Sequence, residues 1–587
     1  MLNAIKACCR RLVAIHDPLQ LPAGISESKL DLLAGKIGIG EIDGAFQSNQ
    51  SVAGIADCLA VFFNGTEPTR AQLTLKKALH IVLEERMRLI ALRVDPPTRY
   101  GFEDELNLCV RPHPFDAVAA QVLAKNAPKD AHIPNLKTSN RPRLVLNFIA
   151  HTLAYNATAL WTLLAYGQRE RPIQEYRVGA PSRIRNGDWT PLLQAARDES
   201  LAPENALLIV YERRIDQGTT PHPSARIDTM HVHFKRWAQE AVLSGLRLSW
   251  HLIVSICSGY RDPWTLQSAY EAIVIARQSL PMRRLSHNYR FEFYFDNEEY
   301  TQRHAVKAAT LEAYGSKLLR WPHVSIDVSG CALSYLGYHV FCDGGPYLHR
   351  HLGASWAPSC KAVSVGMTHN DHRIANDGQV ADTYRDLVST HFAAGGKLLA
   401  YFPPSAIAGR RPLIAATTEA ILRQLAKRDQ WLLVIKPKAG HDFPQIKKLL
   451  DTYAAKLAKR DQTRAALVEY SASNKEVCPA GWLLEKMTLG VGMSSIRLEG
   501  VAKSKIVLNC YPILQDTPFN THAKADGWAF ENIEDFEAGL GRWLDGGPNT
   551  ELPLTWYKEN FDPYGDDESL ARLAHLLFDA DQTQPTA

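Results

Sequence analysis

Apolar positions fall into two patterns along the chain, and the change from one to the other divides it. Up to about residue 138 they recur at three- and four-residue steps, as in Glu27-Ser-Lys-Leu-Asp-Leu-Leu-Ala34 and from Arg70 to Leu92, which predicts a mostly helical N-terminal region. A Pro-rich, basic passage from Ala127-Pro-Lys-Asp130 to Arg141-Pro-Arg143 marks a boundary. Beyond it, short β-rich runs alternate with helical stretches. Strands are predicted over 144–149, 206–211, 246–256, 289–295, 324–328 and 362–365. A second, tighter series follows, with strands at 397–402, 431–436, 465–469 and 505–510 and helices at 414–427 and 444–458. The tail from Asp535 to Leu577 reads as helices, broken by Gly and Pro, that cross back onto the first series.

Alternation of strand and helix builds βαβ units and parallel sheets. The expected fold class is therefore α/β, with two Rossmann-like domains facing each other across a ligand cleft, the GT-B architecture. The expected divisions are 1–138 (helical), 139–368 (first Rossmann-like domain), 369–534 (second) and 535–587 (helical tail).

Composition narrows the function class. Across 587 residues, 46% hydrophobic and 22% charged, the chain has the make-up of an ordinary globular protein. Its 66 basic and 62 acidic residues leave a net charge of +4, too balanced for a dedicated nucleic-acid binder. The ten cysteines contain no C-x-x-C spacing, which fits reduced thiols better than a zinc site or a disulfide framework. The N-terminus lacks the apolar core of a secretory signal, so a cytoplasmic location is expected.

The stretch from Leu144 to Gly167 has no charged residue and is long enough to raise a membrane span, yet Asn147, His151, Asn156 and its threonines favour a buried strand leading into a helix. Basic runs at Lys447-Lys448 and from Lys456 to Arg464 read by default as a solvated helix face, with peripheral contact with anionic lipid at the inner membrane face as the alternative.

Candidate chemistry gathers in the second Rossmann-like series. In Leu489-Gly-Val-Gly-Met-Ser-Ser-Ile-Arg-Leu-Glu499 a short strand breaks at small residues and enters a helix, which aims free backbone N–H groups and a helix dipole at the carboxyl edge of the sheet. Ser494 and Ser495 can donate there to phosphate oxygens, with simple N-capping as the alternative role. Lys436 closes a predicted strand just before Pro437, so its ammonium belongs at the same edge, where it would neutralise a pyrophosphate. Lys438 and His441 follow in the same loop, and Arg497 is grouped with the donor-binding set. Glu499 suits ribose hydroxyls, or else an i,i+4 ion pair with Lys503. Neither series has a G-x-G-x-x-G turn after its first strand, which argues against a nicotinamide or flavin enzyme; no cofactor is expected.

Four of these segments resemble motifs of a family: Tyr401-Phe-Pro-Pro404, Ile435-Lys-Pro-Lys438, Met493-Ser-Ser-Ile-Arg-Leu-Glu499 and Gly366-Met-Thr-His-Asn-Asp371. Together, over about residues 330–530, they are similar to motifs of the CDP-glycerol glycerophosphotransferases and related capsule-polymer GT-B transferases. The resemblance implies a nucleotide-activated donor, an inverting or phosphoryl-type transfer, and a saccharide or lipid-linked acceptor at the cell surface. This chain departs from the pattern: Lys438 stands where the family has His, Gly492-Met493 stands where it has Asp-Tyr, and the Trp-His-Gly-Thr motif that supplies the family's catalytic base is not evident. Sugar transfer is thereby favoured over glycerophosphate transfer.

Asp343, beside two glycines in Phe341-Cys-Asp-Gly-Gly-Pro-Tyr-Leu-His-Arg-His351, is the candidate replacement base, with His349 and His351 as alternates. Asp371, His372, Asp377 and Asp382 carry metal-ligand chemistry but match no metal loop, so a polar hinge is expected there and no metal. Two rival functions remain: a nucleotide-sugar epimerase or hydrolase on the same scaffold, and a non-catalytic scaffold of capsule assembly.

Overall fold

The computed structural model describes residues 38–64, 66–92, 113–126, 141–165, 173–181, 190–210, 226–229, 235–296, 301–320, 333–368, 380–404, 411–438, 442–454, 465–469, 477–492, 495–509, 518–530, 532–547 and 552–579. Two parallel sheets organise it. The first runs β3-β2-β1-β4-β5-β6-β7 through Gln174–Pro181 (β1), Ala206–Val210 (β2), Arg226–Thr229 (β3), Tyr289–Asp296 (β4), Lys317–Arg320 (β5), Val340–Asp343 (β6) and Lys361–Ser364 (β7). The second runs β10-β9-β8-β11-β12 through Lys397–Phe402 (β8), Trp431–Ile435 (β9), Ala465–Leu467 (β10), Leu489–Gly492 (β11) and Val507–Asn509 (β12).

Every ladder in both sheets is parallel. In each sheet the chain builds outward from one strand and then returns to that strand's other side, so the strand order reverses once, between β1 and β4 and between β8 and β11. That order defines two Rossmann-like α/β domains, as the sequence predicts.

The buried strands explain themselves. β9, Trp-Leu-Leu-Val-Ile, is buried at all five positions, as a parallel strand covered on both faces must be. β1 escaped the sequence reading because Gln-Glu-Tyr-Arg opens it, with exposed residues ahead of the buried Val178-Gly179-Ala180. β3, β5 and β6 were also missed, being only four residues each.

Two predicted strands are corrected. Residues 144–149 and 246–256 lie inside the 25-residue helices Arg141–Ala165 and Lys235–Gly259. A short apolar run cannot separate strand from helix by periodicity alone, and the length of the apolar stretch, far beyond a strand's four to eight or so residues, favours helix. The run 324–328 lies outside the described residues.

Among the described residues of the N-terminal region, helices Gly38–Ser48, Gln50–Phe62, Pro68–Leu92 and Asp116–Asn126 agree with the expected helical character, while the run 27–34 lies outside the described residues. They share one core with helices 141–165, 235–259 and Pro263–Ser286 of the first domain, through Leu59, Leu79, Phe148, Leu252 and Ile273. Arg70, wholly buried, ties this layer to helix Arg303–Ala313 and to the segments leading into β6 and β7: it pairs with Glu312 at 3.0 Å and donates to the Ser359 hydroxyl at 2.7 Å and to the Gly337 carbonyl.

In the tail, helix Ile533–Leu544 stays with the second domain, where Arg423 pairs with Glu537 and Arg428 with Asp545. Helix Ser569–Phe578 crosses to the first sheet, burying Leu570, Leu573 and Leu577 in the core that contains Val178 and Phe293. Arg177 of β1 fastens it by donating to the Leu577 carbonyl at 2.8 Å.

Candidate functional site

The carboxyl edge of the second sheet is assembled by register. Tyr401 of β8 pairs with Ile435 of β9, and Phe402 pairs with Gly492 of β11. Lys436 continues β9, and its backbone N–H donates to the Tyr401 carbonyl at 2.9 Å. Lys436, Phe402 and Gly492 thus form one row across three adjacent strands. With strands about 4.8 Å apart, Lys436 and Gly492 stand about 10 Å from each other across the reversal of strand order. An open α/β sheet binds its ligands at that reversal.

Glycine brings the helix close to this edge. A Cβ on Gly492 would lie 2.7 Å from Ile496 Cγ2, and one on Gly500 would lie 2.6 Å from Val507 Cγ2. Without those methyl groups, helix Ser495–Ala502 lies directly against β11 and β12, with its N-terminus at the strand ends. Ser495, its first residue, is half-buried.

The sequence-derived residues divide as follows. Lys436 and Ser495 share the edge; Lys436 is only 5% exposed. Lys438 is exposed in the loop beyond β9. Ser494 and His441 lie outside the described residues. Arg497 points inward: it is buried, donates to Asn520 Oδ1 at 2.6 Å, and holds its guanidinium 5.4 Å from the Trp528 ring centroid. That contact fastens the helix to Pro518–Ala525 rather than presenting a cation at the edge. Glu499 is half-buried, and Lys503 pairs with Glu485 at 2.9 Å instead of serving Glu499. An open pocket lined by Phe443, Pro444, Lys447, Lys448 and Asp451 adjoins the start of the next helix, Phe443–Ala454; neither Lys436 nor Ser495 lines it.

The first sheet carries a feature that the sequence reading passed over. Three neighbouring strands each end on a charge: Asp296 on β4, Arg320 on β5 and Asp343 on β6. Asp296 pairs with Arg320 in the strand register, while its carboxylate takes the Lys307 ammonium. Arg320, fully buried, stands 3.5 Å from the Asp343 carboxylate and donates to the Cys342 carbonyl at 2.8 Å. A charge closing an apolar run was the available signal, visible in Phe293-Tyr-Phe-Asp296 and Val340-Phe-Cys-Asp343.

Burial raises the Asp343 pKa to about 6, against the opposing pull of Arg320 and the Gly344 N–H. The residue is 8% exposed. The backbone of Asn560 and Phe561, at the end of helix Leu554–Phe561, lies so close to Gly344 and Gly345 that neither has room for a Cβ. Tyr347 stacks on Phe561 at 4.7 Å between ring centroids, and the same tail helix touches helix 495–502. The tail therefore bridges the Asp343 loop of one domain and the serine-led helix of the other. His349 and His351 are exposed on helix Tyr347–Leu352, against Trp356 and Tyr347 respectively.

No cluster of three or more metal-ligating side chains occurs among the described residues; Asp371, His372 and Asp377 lie outside them, and Asp382 is exposed.

No known protein family and no curated protein matches the chain. Among solved structures it is similar to a Staphylococcus aureus MnaA–UDP complex, at 12% identity over 69% of this chain and 96% of that one, TM-score 0.40. It is similar to an α,α-trehalose 6-phosphate synthase from Burkholderia multivorans at 14% identity over 69% and 96%, TM-score 0.39. A UDP-GlcNAc 2-epimerase from Methanocaldococcus jannaschii gives 11% identity over 69% and 99%, TM-score 0.38. Likenesses this distant carry no weight of their own, and the assignment of two Rossmann-like domains rests on strand order and register.

Proposed function

We propose that this chain is a cytoplasmic GT-B-type transferase that moves a sugar from a nucleotide-activated donor to a saccharide or lipid-linked acceptor of the cell surface, at the inner membrane face. The observation that supports it most is the placement of Lys436 and the Ser495 helix N-terminus on one carboxyl edge, on either side of the reversal between β8 and β11. A cationic residue and the leading backbone N–H groups of a helix on one edge suit a donor diphosphate.

In the proposed reaction the acceptor hydroxyl oxygen attacks the anomeric carbon. The bond from that carbon to the donor phosphate oxygen breaks, and the nucleotide leaves with the electron pair. The hydroxyl proton passes to Asp343, or to His349 or His351. Lys436 and the helix N-terminus stabilise the charge that grows on the leaving phosphate, a role that uses no metal. Ser494, Lys438 and His441 complete the phosphate contacts and Glu499 takes the ribose. Glycerophosphate transfer, the reaction of the motif-similar family, is the narrower variant of the same reading.

The test is a thermal-shift panel of CMP, CDP, UDP, GDP and their sugar conjugates, followed by calorimetry on Lys436→Met. Loss of a charge-assisted contact should weaken the best nucleotide by about 10- to 100-fold. Unchanged affinity removes Lys436 from the site, and no response to any nucleotide assigns the chain to the scaffold class. Donor turnover with the acceptor omitted would identify an epimerase or hydrolase instead.

A further inference from the structure

Helices 141–165 and 235–259 lie side by side, joined by hydrogen bonds from Tyr155 to the Ala241 carbonyl (2.9 Å) and from Asn156 to Ser249 (3.3 Å). Each is apolar on its inner side, where Phe148, Tyr155, Leu248 and Leu252 join the helical core. Each is apolar on its outer side too. On the first, Leu146, Ile149, Leu153, Leu160 and Trp161 keep helical spacing and are exposed, Leu153 at 65% and Trp161 at 67%. On the second, Leu243, Leu246, Trp250, Ile253 and Val254 do the same, with Trp250 at 66%. An apolar stripe on each of two sides of a helix calls for cover on both, and an exposed patch of this breadth marks an interaction surface.

Charge selects the occupant. The two helices hold one carboxylate between them, Glu240, which is engaged by Tyr314 and His287. Arg247 and Arg261 are exposed beside the stripe. In a two-fold pairing with a second copy, this face would meet itself and offer those arginines no carboxylate. Anionic lipid headgroups offer phosphate, and Trp161, Trp250 and Tyr260 are residues suited to the headgroup level.

We propose that this two-helix face is the membrane-docking surface, lying in the plane of an anionic bilayer with its leucines below the headgroups and its tryptophans at their level. Gln239–Gly259, within helix 235–259, is long and apolar enough to cross a membrane, but about a third of its most apolar part is buried inside the protein, which suits lying on a membrane rather than crossing it. This deepens the peripheral contact proposed above and moves it from the Lys447-Lys448 helix, where Lys447 already faces Asp451 at 3.7 Å, to the first domain. It rests on that reading only for the lipid-borne acceptor.

The experiment is co-sedimentation of the full chain with vesicles of phosphatidylcholine alone or mixed with phosphatidylglycerol, with indole quenching by brominated lipid. Binding to the anionic vesicles with quenching is expected, and Leu246→Glu/Trp250→Glu should lower it at least about tenfold while leaving the melting temperature and any nucleotide response in place. A protein that stays in the supernatant overturns the proposal, as does a variant that binds equally well. So does a dimer, seen by analytical ultracentrifugation, that the double variant dissolves. Because nucleotide response is read separately, its absence would count against the transferase alone.

Discussion

Substituting Gly492 by alanine tests the candidate site through its geometry. The new Cβ would stand 2.7 Å from Ile496 Cγ2 and 3.4 Å from Phe402 Cβ and Val507 Cγ1. Carbon atoms settle about 3.5 to 4.0 Å apart, so the start of the Ser495 helix must withdraw by about 1 Å. Ile496 has little freedom to yield, because a β-branched side chain in a helix is held to one χ1 rotamer. Overpacking of this kind costs about 1 to 3 kcal/mol of stability. Moving a binding group by about 1 Å can cost as much as about 100-fold in function.

In calorimetric titration with the nucleotide that gives the largest thermal shift, Gly492→Ala should bind about 10- to 100-fold more weakly. Ile496→Ala removes the opposing methyl group, so the double variant should recover most of the loss, a coupling that a mutant cycle measures directly. Wild-type affinity in Gly492→Ala, or a double variant no better than the single one, would refute the claim that this helix start holds the donor.

Three further outcomes are expected. Glu271 is buried, and burial lifts the pKa of its carboxyl to about 8 against a Gln267 hydrogen bond; the folded state therefore holds a proton that the unfolded chain has released, and stability should fall by about 1.4 kcal/mol per pH unit between its ordinary pKa and pH 8. Urea melts of Glu271→Gln should lack that slope, and parallel curves for the two proteins would disprove the assignment. If Asp343 is the base, turnover should decline as pH drops through about 6, where its buried carboxylate protonates, and Asp343→Asn should be slow and flat across that range. Arg572 anchors the crossing tail by donating to the Val365 carbonyl at 2.9 Å and forking onto Asp566; Arg572→Met should cost no more than about 1 kcal/mol, because the pair is part-exposed, but should speed amide exchange in helix 569–578.

The second Rossmann-like domain was legible in the chain because its strands are short, continuous apolar runs bounded by Pro, Gly or charge, and because each lies next to a helix it packs against. Lys436 and Ser495 could be placed at one edge for the same reason: in a parallel sheet, the residue after each strand reaches the same side. The first domain was less legible. Its central strand β1 opens on polar residues, and its two longest apolar runs are helices, a choice that local periodicity does not make.

Sequence by itself determined the alternation of strand and helix, and with it the two parallel sheets, since parallel strands require crossovers and the crossovers are written in the chain. Three matters belonged to tertiary structure alone: the inward turn of Arg497 onto Asn520 and Trp528, the closure of the tail over Gly344 and Gly345, and the outward apolar face of two helices whose apolar runs 144–149 and 246–256 read as strands. Each depends on which elements meet across hundreds of residues. Contacts that distant are set by packing the whole chain, not by the preferences of any one segment.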